Sequence, residues 1–276
     1  MPLVHQCISI ARQAGDVIRD IAMSNELDIQ KKADKTPVTL ADLRANELIC
    51  AALAKLTPAI PVISEEVTAP SFAERAKFTS CWLVDPLDGT RGFIDGSGEY
   101  TVNIALIENH QSVLGVIYAP HTDRLYYATK GQGAFVCIGN ETQPIHVRAF
   151  NQDRPLVIAV SQYHNSAWFS NVVADVPTYD LLRLNSSIKI GYIAEGLADF
   201  YPRLGPTSEW DTAAGQCIIE EAGGLLIDLE GRSLCYNARD TLINPGFVVI
   251  GDPSRQDYFL GLMRDSRSYS NHSRCS

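Results

Sequence analysis

A chain of 276 residues with 46% hydrophobic and 20% charged residues can bury a sizeable core, as one large domain or two intimate halves, and shows no disorder signature. Its 23 Lys and Arg against 32 Asp and Glu give a net charge of −9, which repels anions and argues against a nucleic acid polymer as partner. Seven dispersed cysteines (Cys7, Cys50, Cys81, Cys137, Cys217, Cys235, Cys275) form no CxxC pair and suggest neither a zinc site nor a disulfide framework, so a reducing cytoplasm is expected. The start Met1-Pro2-Leu3-Val4-His5 lacks a charged, apolar leader, and no run of 18 apolar residues suggests a membrane span.

Apolar residues at helical spacing predict amphipathic helices over residues 3–23 and 39–56. Val62-Ile63-Ser64 then reads as a buried strand ending in Glu65-Glu66. The run Cys81-Trp82-Leu83-Val84 enters the turn Asp85-Pro86-Leu87-Asp88-Gly89-Thr90. Residues 100–108 and 112–119 predict antiparallel strands joined through Asn109-His110-Gln111, and Gly131-Gln132-Gly133-Ala134 adds a turn. From about residue 151 strands alternate with helices, at 156–160, 187–195, 211–221 and 225–228. The expected architecture is layered α/β: one unit over residues 1–263, of halves 1–150 and 151–263 with the site in the cleft between them, and a mobile tail over 264–276 rich in Ser and Arg.

Acids gather where these elements end. In the 85–90 turn two carboxylates and the Leu87 carbonyl can share hard divalent cations, and Thr90 can orient a water. Glu65-Glu66 repeats the pattern at a strand end, and Glu209-Trp210-Asp211-Thr212-Ala213-Ala214-Gly215 reads as a helix start with Asp211 or Thr212 near the N-cap. Each has a structural alternative: Asp-Pro and Asp-Gly are ordinary turn formers, Glu65-Glu66 can be a solvated strand end, and Asp211 can cap its helix. Acids recurring at element ends, where sites are built on rigid scaffolds, favour chemistry.

Together, the 85–90 turn and Trp210-Asp211-Thr212-Ala213-Ala214-Gly215 resemble the paired signature of the inositol monophosphatase superfamily, metal-dependent and lithium-sensitive phosphatases of layered α-β-α-β-α sandwich fold. Lys32-Ala33-Asp34, Pro37-Val38-Thr39, residues 99–107, Tyr201-Pro202-Arg203 and residues 242–247 are similar to segments of its bacterial 3'(2'),5'-bisphosphate nucleotidase subgroup, which acts in sulfur assimilation. The resemblance implies two or three Mg²⁺ ions on Glu65, Asp85, the Leu87 carbonyl, Asp88 and Asp211. It implies a water-activating pair Asp42 and Thr90 with Glu66 behind them, although from the residues alone Asp42 reads as a helix-start acid. The reacting phosphate would meet Glu65, Leu87, Asp88, Gly89, Thr90 and Asp211. The rest of a bisphosphate nucleotide would meet His164, Ser186, Lys189 and Arg203, each of which is by type alone an ordinary structural or surface residue. Some bacterial family members are peripheral on the cytoplasmic face of the inner membrane, which nothing in this composition predicts.

The expected reaction is removal of the 3'-phosphate from adenosine 3',5'-bisphosphate, leaving AMP. The alternatives are an inositol or sugar monophosphatase on the same scaffold and, more distantly, a catalytically silent nucleotide sensor. Two departures from the subgroup pattern bear on substrate preference. Arg91-Gly92 replaces Lys-Glu, gaining backbone freedom over residues 91–98, and Asn185-Ser186-Ser187 replaces Gly-Ser-Ser.

Overall fold

In the computed structural model the described residues are 2–24, 27–31, 37–162 and 167–264, with the side chains of Lys31 and Ala167 outside the description. His164, the Lys32-Ala33-Asp34 segment and the tail expected at 264–276, apart from Arg264, therefore lie outside the described residues.

Both predicted N-terminal helices form, as α1 (Leu3–Ser24) and α2 (Leu40–Leu56). Val4, Cys7, Ile10, Ala11, Ala14 and Ile18 make the buried stripe of α1, the spacing of an amphipathic helix. Thr39 caps α2 reciprocally with Asp42 in a capping box. A short antiparallel pair, β1 (Gln30–Lys31) and β2 (Pro37–Val38), lies between the helices.

Seven strands in sequential order build the larger sheet: β3 (Val62–Ser64), β4 (Ser80–Asp88), β5 (Thr101–Glu108), β6 (Gln111–Ala119), β7 (Arg124–Thr129), β8 (Ala134–Ile138) and β9 (Glu141–Ile145). Only β3–β4 is parallel, and α3 (Phe72–Arg75) lies in that connection. The β5–β6 turn is the two residues Asn109-His110, both at positive φ (+49° and +66°), the twist a tight hairpin requires. A five-stranded sheet follows in the order β11-β10-β12-β14-β13, with β10 (Leu156–Val160), β11 (Tyr179–Arg183), β12 (Phe200–Arg203), β13 (Leu225–Asp228) and β14 (Phe247–Ile250).

The alternation of side chains along β4 shows how the layers are glued. Trp82 and Val84 face a core shared with Ile18 of α1 and Ile49 and Leu53 of α2. Cys81 and Leu83 face the opposite core, filled by Ile190 and Ile193 of α6 (Ile188–Ala194), Ala213, Cys217 and Ile218 of α7 (Glu209–Glu221), and Phe247 and Val249 of the second sheet. The far side of that sheet, with Ile158, Phe200 and Val248, is covered by Trp168 and Val172 of α5 (Ala167–Val172) and Phe259 of α8 (Gln256–Leu262). The result is the expected α-β-α-β-α sandwich. No helix among the described residues is long and apolar enough to cross a membrane.

The middle layer sits very close to the large sheet. A Cβ on Gly115 of β6 would lie 2.2 Å from the Ala214 carbonyl oxygen of α7, and Ser112 Oγ donates to the Ala213 carbonyl at 2.7 Å. Only a residue without a side chain permits that approach.

The structure differs from the sequence reading at the start of α7 and in the strands of the second sheet. The helix expected from residue 211 begins at Glu209, because Ser208 is its N-cap and Asp211 is the third helical residue of a capping box. Strands β11, β12 and β14 were not foreseen. Pro202 argues against a strand inside a sheet, yet it is tolerated because β12 meets β10 only at Ile158–Phe200 and otherwise pairs with β14.

Candidate active site

Three short-range devices bring the acids together. Parallel pairing of β3 with β4 sets Ser64 beside Val84, and the Glu65 N–H continues the ladder to the Val84 carbonyl at 3.1 Å, delivering Glu65 next to Asp85. Within β4 the pairing with β5 shifts register between Asp85 and Asp88, an irregularity that re-aims side chains at a strand end. The Leu87 N–H donates to Asp85 Oδ1 at 3.0 Å, which fixes that carboxylate. At the start of α7 the Ser208 N–H donates to Asp211 Oδ2 at 2.8 Å. Ligand oxygens of Glu65, Asp85 and Asp211 then lie within 4.8 Å of one another, a cluster able to hold a cation.

Asp88 stands beside that triad and is held by Ser187 at the start of α6. Its Oδ2 accepts from the Ser187 N–H at 2.6 Å and from Ser187 Oγ at 2.5 Å, while Asn103 Nδ2 donates to Ser187 Oγ at 3.0 Å. The Ser187 hydroxyl is also within 2.7 Å of the Asp211 carbonyl oxygen, so one serine joins the turn, α6 and α7. The sequence pointed to neighbouring Ser186 and passed over Ser187 and Asn103, whose pairing exists only in three dimensions.

Asp42 and Thr90 meet from two other elements. One oxygen of Asp42 caps α2, accepting from the Thr39 N–H at 2.7 Å and Thr39 Oγ1 at 2.6 Å; the other accepts from Thr90 Oγ1 at 3.2 Å. Thr90 opens α4 (Thr90–Ile94) directly after Gly89, whose φ of +93° turns the chain. The capping reading of Asp42 and its pairing with Thr90 thus hold at once, on different oxygens.

Crowding these acids has an electrostatic consequence. Burial, reinforced by the charges of Glu65, Asp88, Asp211 and Asp42, pushes the Asp85 carboxyl well above the usual carboxylate range. Burial together with Asp88 and Glu65 does the same to Asp211, against the Ser208 N–H and Arg203. Burial also raises Asp42, with hydrogen bonds from Thr39 and Thr90 opposing it. Desolvation lowers buried Lys189 to about 8 although Asp88 and Glu99 favour its charge.

Asp85, Asp211 and Lys189 line a cavity of about 480 Å³, whose lining does not include Asp42. Glu65, Asp85, Leu87, Asp88, Gly89, Thr90 and Asp211 lie on its walls, as do Ser186, Lys189 and Arg203 from the second half of the chain. Lys189 Nζ donates to the Leu184 and Ser186 carbonyls at 3.2 and 2.5 Å and lies 5.2 Å from the Tyr201 ring centre. The Arg203 guanidinium rests on the Gly205 and Pro206 carbonyls at 3.2 and 3.3 Å. Glu66 is not among the lining residues. Trp210, Ile243 and Phe247 supply apolar wall.

This arrangement, converging oxygen ligands and fixed cations in one cavity, suits a phosphate ester held against metal ions. The inositol monophosphatase family model matches residues 2–264, and the chain belongs to that family. Curated relatives include the 3'(2'),5'-bisphosphate nucleotidase CysQ of Salmonella typhimurium, 41% identical over 248 residues, and that of Escherichia coli K12, 40% identical over the same length, each alignment covering 90% of this chain and 99% of the relative. The crystal structure of CysQ from Bacteroides thetaiotaomicron superposes with a TM-score of 0.78 at 35% identity, covering 90% of this chain and 96% of that one. A Thermotoga maritima IMPase shares the fold with a TM-score of 0.79 at 24% identity, over 96% and 97% of the two chains.

Proposed function

We propose that this protein is a metal-dependent 3'(2'),5'-bisphosphate nucleotidase that removes the 3'-phosphate of adenosine 3',5'-bisphosphate to leave AMP and phosphate. The observation that carries the reading is the presence, in one cavity, of the acidic cluster together with Lys189 and Arg203. A monophosphate needs only the first set, whereas a second phosphate needs the other. Identity near 40% along almost the whole length of curated bisphosphate nucleotidases supports it.

The donor set fits hard divalent cations. It is all oxygen, it converges, and the raised Asp85 and Asp211 carboxyls mark a site whose acids are ionised together only at a cost that a cation offsets. Glu65, Asp85, Asp88, Asp211 and the Leu87 carbonyl would hold two or three Mg²⁺ ions. When bound, the ions would acidify a water and neutralise charge on the transferring phosphate.

The rest of the chemistry belongs to the chain. The Thr90 hydroxyl, donating its proton to Asp42 Oδ1, presents its lone pairs to an attacking water, and Asp42 receives the proton at the end of that relay. Burial raises the affinity of Asp42 for that proton. Lys189 and Arg203 take the non-reacting phosphate together with Ser186, and the resemblance adds His164 to that set. Glu66 acts from behind the ligand set. The free thiols of the described cysteines fit a reducing cytoplasm, and a role in sulfur assimilation follows from the nucleotidase reading alone.

Phosphate release measured across adenosine 3',5'-bisphosphate, its 5'-phosphosulfate analogue, AMP and inositol monophosphates, with and without Mg²⁺ and with Li⁺ titrated in, tests the reading. Preference for the 3',5'-bisphosphate and inhibition by Li⁺ are expected; preference for inositol monophosphate overturns the substrate assignment.

A further inference from the structure

The loop that follows the acidic turn and the loop that opens α6 are joined by a contact that the hydrolytic chemistry leaves unused. Glu99 Oε2 accepts from the Asn185 N–H at 3.2 Å and from Asn185 Nδ2 at 2.8 Å. Two residues on, the Ser187 N–H is bound by Asp88. Between these two carboxylate-held amides sits Ser186 at a φ of +59°, a backbone state that a non-glycine residue keeps only where its surroundings over-determine it. Lys189 completes the restraint by donating to the Leu184 and Ser186 carbonyls.

Glu99 can reach Asn185 because position 92 has no side chain. A Cβ there would lie 2.9 Å from the Glu99 carbonyl oxygen, 2.9 Å from Ser97 Oγ and 3.5 Å from Asn185 Nδ2. The Ser97 N–H and hydroxyl close onto the Gly92 carbonyl at 3.0 and 3.1 Å, so the loop folds directly over this glycine. Gly92 and Asn185 are two of the residues that depart from the subgroup pattern, and they meet at one residue: Gly92 lies against the Glu99 carbonyl oxygen and Asn185 donates to the Glu99 carboxylate.

We propose that Gly92, Glu99 and Asn185 form a clasp in which Glu99 is a positioning residue: it holds the backbone at Ser186, and through it Lys189, in the conformation that recognises the non-reacting phosphate. This inference rests on the nucleotidase reading and deepens it. The clasp governs capture of the bisphosphate and leaves the hydrolytic step alone, since neither Glu99 nor Asn185 belongs to the ligand set or the Asp42–Thr90 relay.

The test measures kcat and KM for adenosine 3',5'-bisphosphate and for p-nitrophenyl phosphate, which lacks a second phosphate, in the Mg²⁺-loaded full chain. Loss of a charge-assisted hydrogen bond predicts that Glu99→Ala raises the bisphosphate KM about tenfold or more. Its kcat stays within about twofold and its p-nitrophenyl phosphate kinetics are unchanged. Glu99→Gln, which keeps an accepting oxygen, recovers part of the loss. Gly92→Glu raises the same KM, and adding Asn185→Gly to it costs less than the two single changes multiplied, because both break one clasp. Equal losses on both substrates, or independent single effects, overturn the proposal. If the wild-type enzyme shows no preference for the bisphosphate, the nucleotidase reading fails, and amide exchange over residues 184–189 decides the clasp: roughly tenfold faster exchange in Glu99→Ala upholds it, unchanged exchange defeats it.

Discussion

The Thr90 hydroxyl donates to Asp42 Oδ1 at 3.2 Å, joining the first turn of α2 to the first turn of α4 across 48 residues of sequence. Because the other Asp42 oxygen is occupied by its cap, only Oδ1 is available to take a proton. Asp42→Asn keeps the shape and the cap but removes the base, so kcat is expected to fall by about 10²–10⁴. With burial raising its carboxyl, the acid limb of the wild-type rate profile lies above the ordinary carboxylate range. Steady-state kinetics against pH check both; turnover near wild type in Asp42→Asn removes the relay.

Asp88 carries one charge towards the metal cluster while an oxygen is held by Ser187. Asp88→Asn retains an oxygen for the Ser187 N–H and loses the charge. Folding is therefore expected to survive, activity to drop roughly 10²-fold or more, about 2.7 kcal/mol of barrier, and the half-saturating Mg²⁺ concentration to rise. Circular dichroism with a Mg²⁺ titration of activity separates these effects.

The clustered acids tie stability to metal and pH. Asp85 and Asp211 have folded-state pKa values raised above the ordinary 3.8, so the native state holds protons that the unfolded chain has released. The stability they lend is fully present below that ordinary value and is lost as pH rises through their raised values. Without metal, Tm should thus fall relative to the Mg²⁺-loaded protein as pH rises from the acid range towards neutrality, and the gap should widen. At 100 times Kd the ion stabilises by about 2.7 kcal/mol. Thermal unfolding with EDTA or Mg²⁺ across pH measures the gap; a gap of constant size contradicts the assignment.

Gly115 lies under the Ala214 carbonyl with no room for a methyl group. In Gly115→Ala the obstacle is main chain on both sides, so either β6 or α7 must move. A loss of about 1–3 kcal/mol is expected, the usual cost of overpacking. Because α7 carries Asp211, metal affinity should fall as well. Chemical unfolding and Mg²⁺ titration test this; a variant with native affinity would show that the helix moves without its acid.

The legible parts of the sequence were those where one local pattern sufficed. The continuous apolar run 81–84, the Asn109-His110 turn and the helical stripe of α1 each specify a backbone state on their own. The site required more. Asp42, read from its surroundings, is a capping acid, and the structure makes it one; its second partner, Thr90, is visible only when α2 and α4 meet. Ser187 and Asn103 carried no signal because a serine beside a serine and an asparagine in a strand are commonplace. Polar β11, with Tyr179 and Asp180 exposed at the sheet edge, lacks the alternation that reveals a strand.

The contact between Gly115 and Ala214 sets where Asp211 stands by main chain against main chain, with no side chain acting as a spacer. Substitutions that remodel the rim, such as those at 92 and 185, can accumulate without altering the spacing of the acids beneath. Selectivity is free to drift on such a scaffold while the inorganic chemistry stays insulated from it.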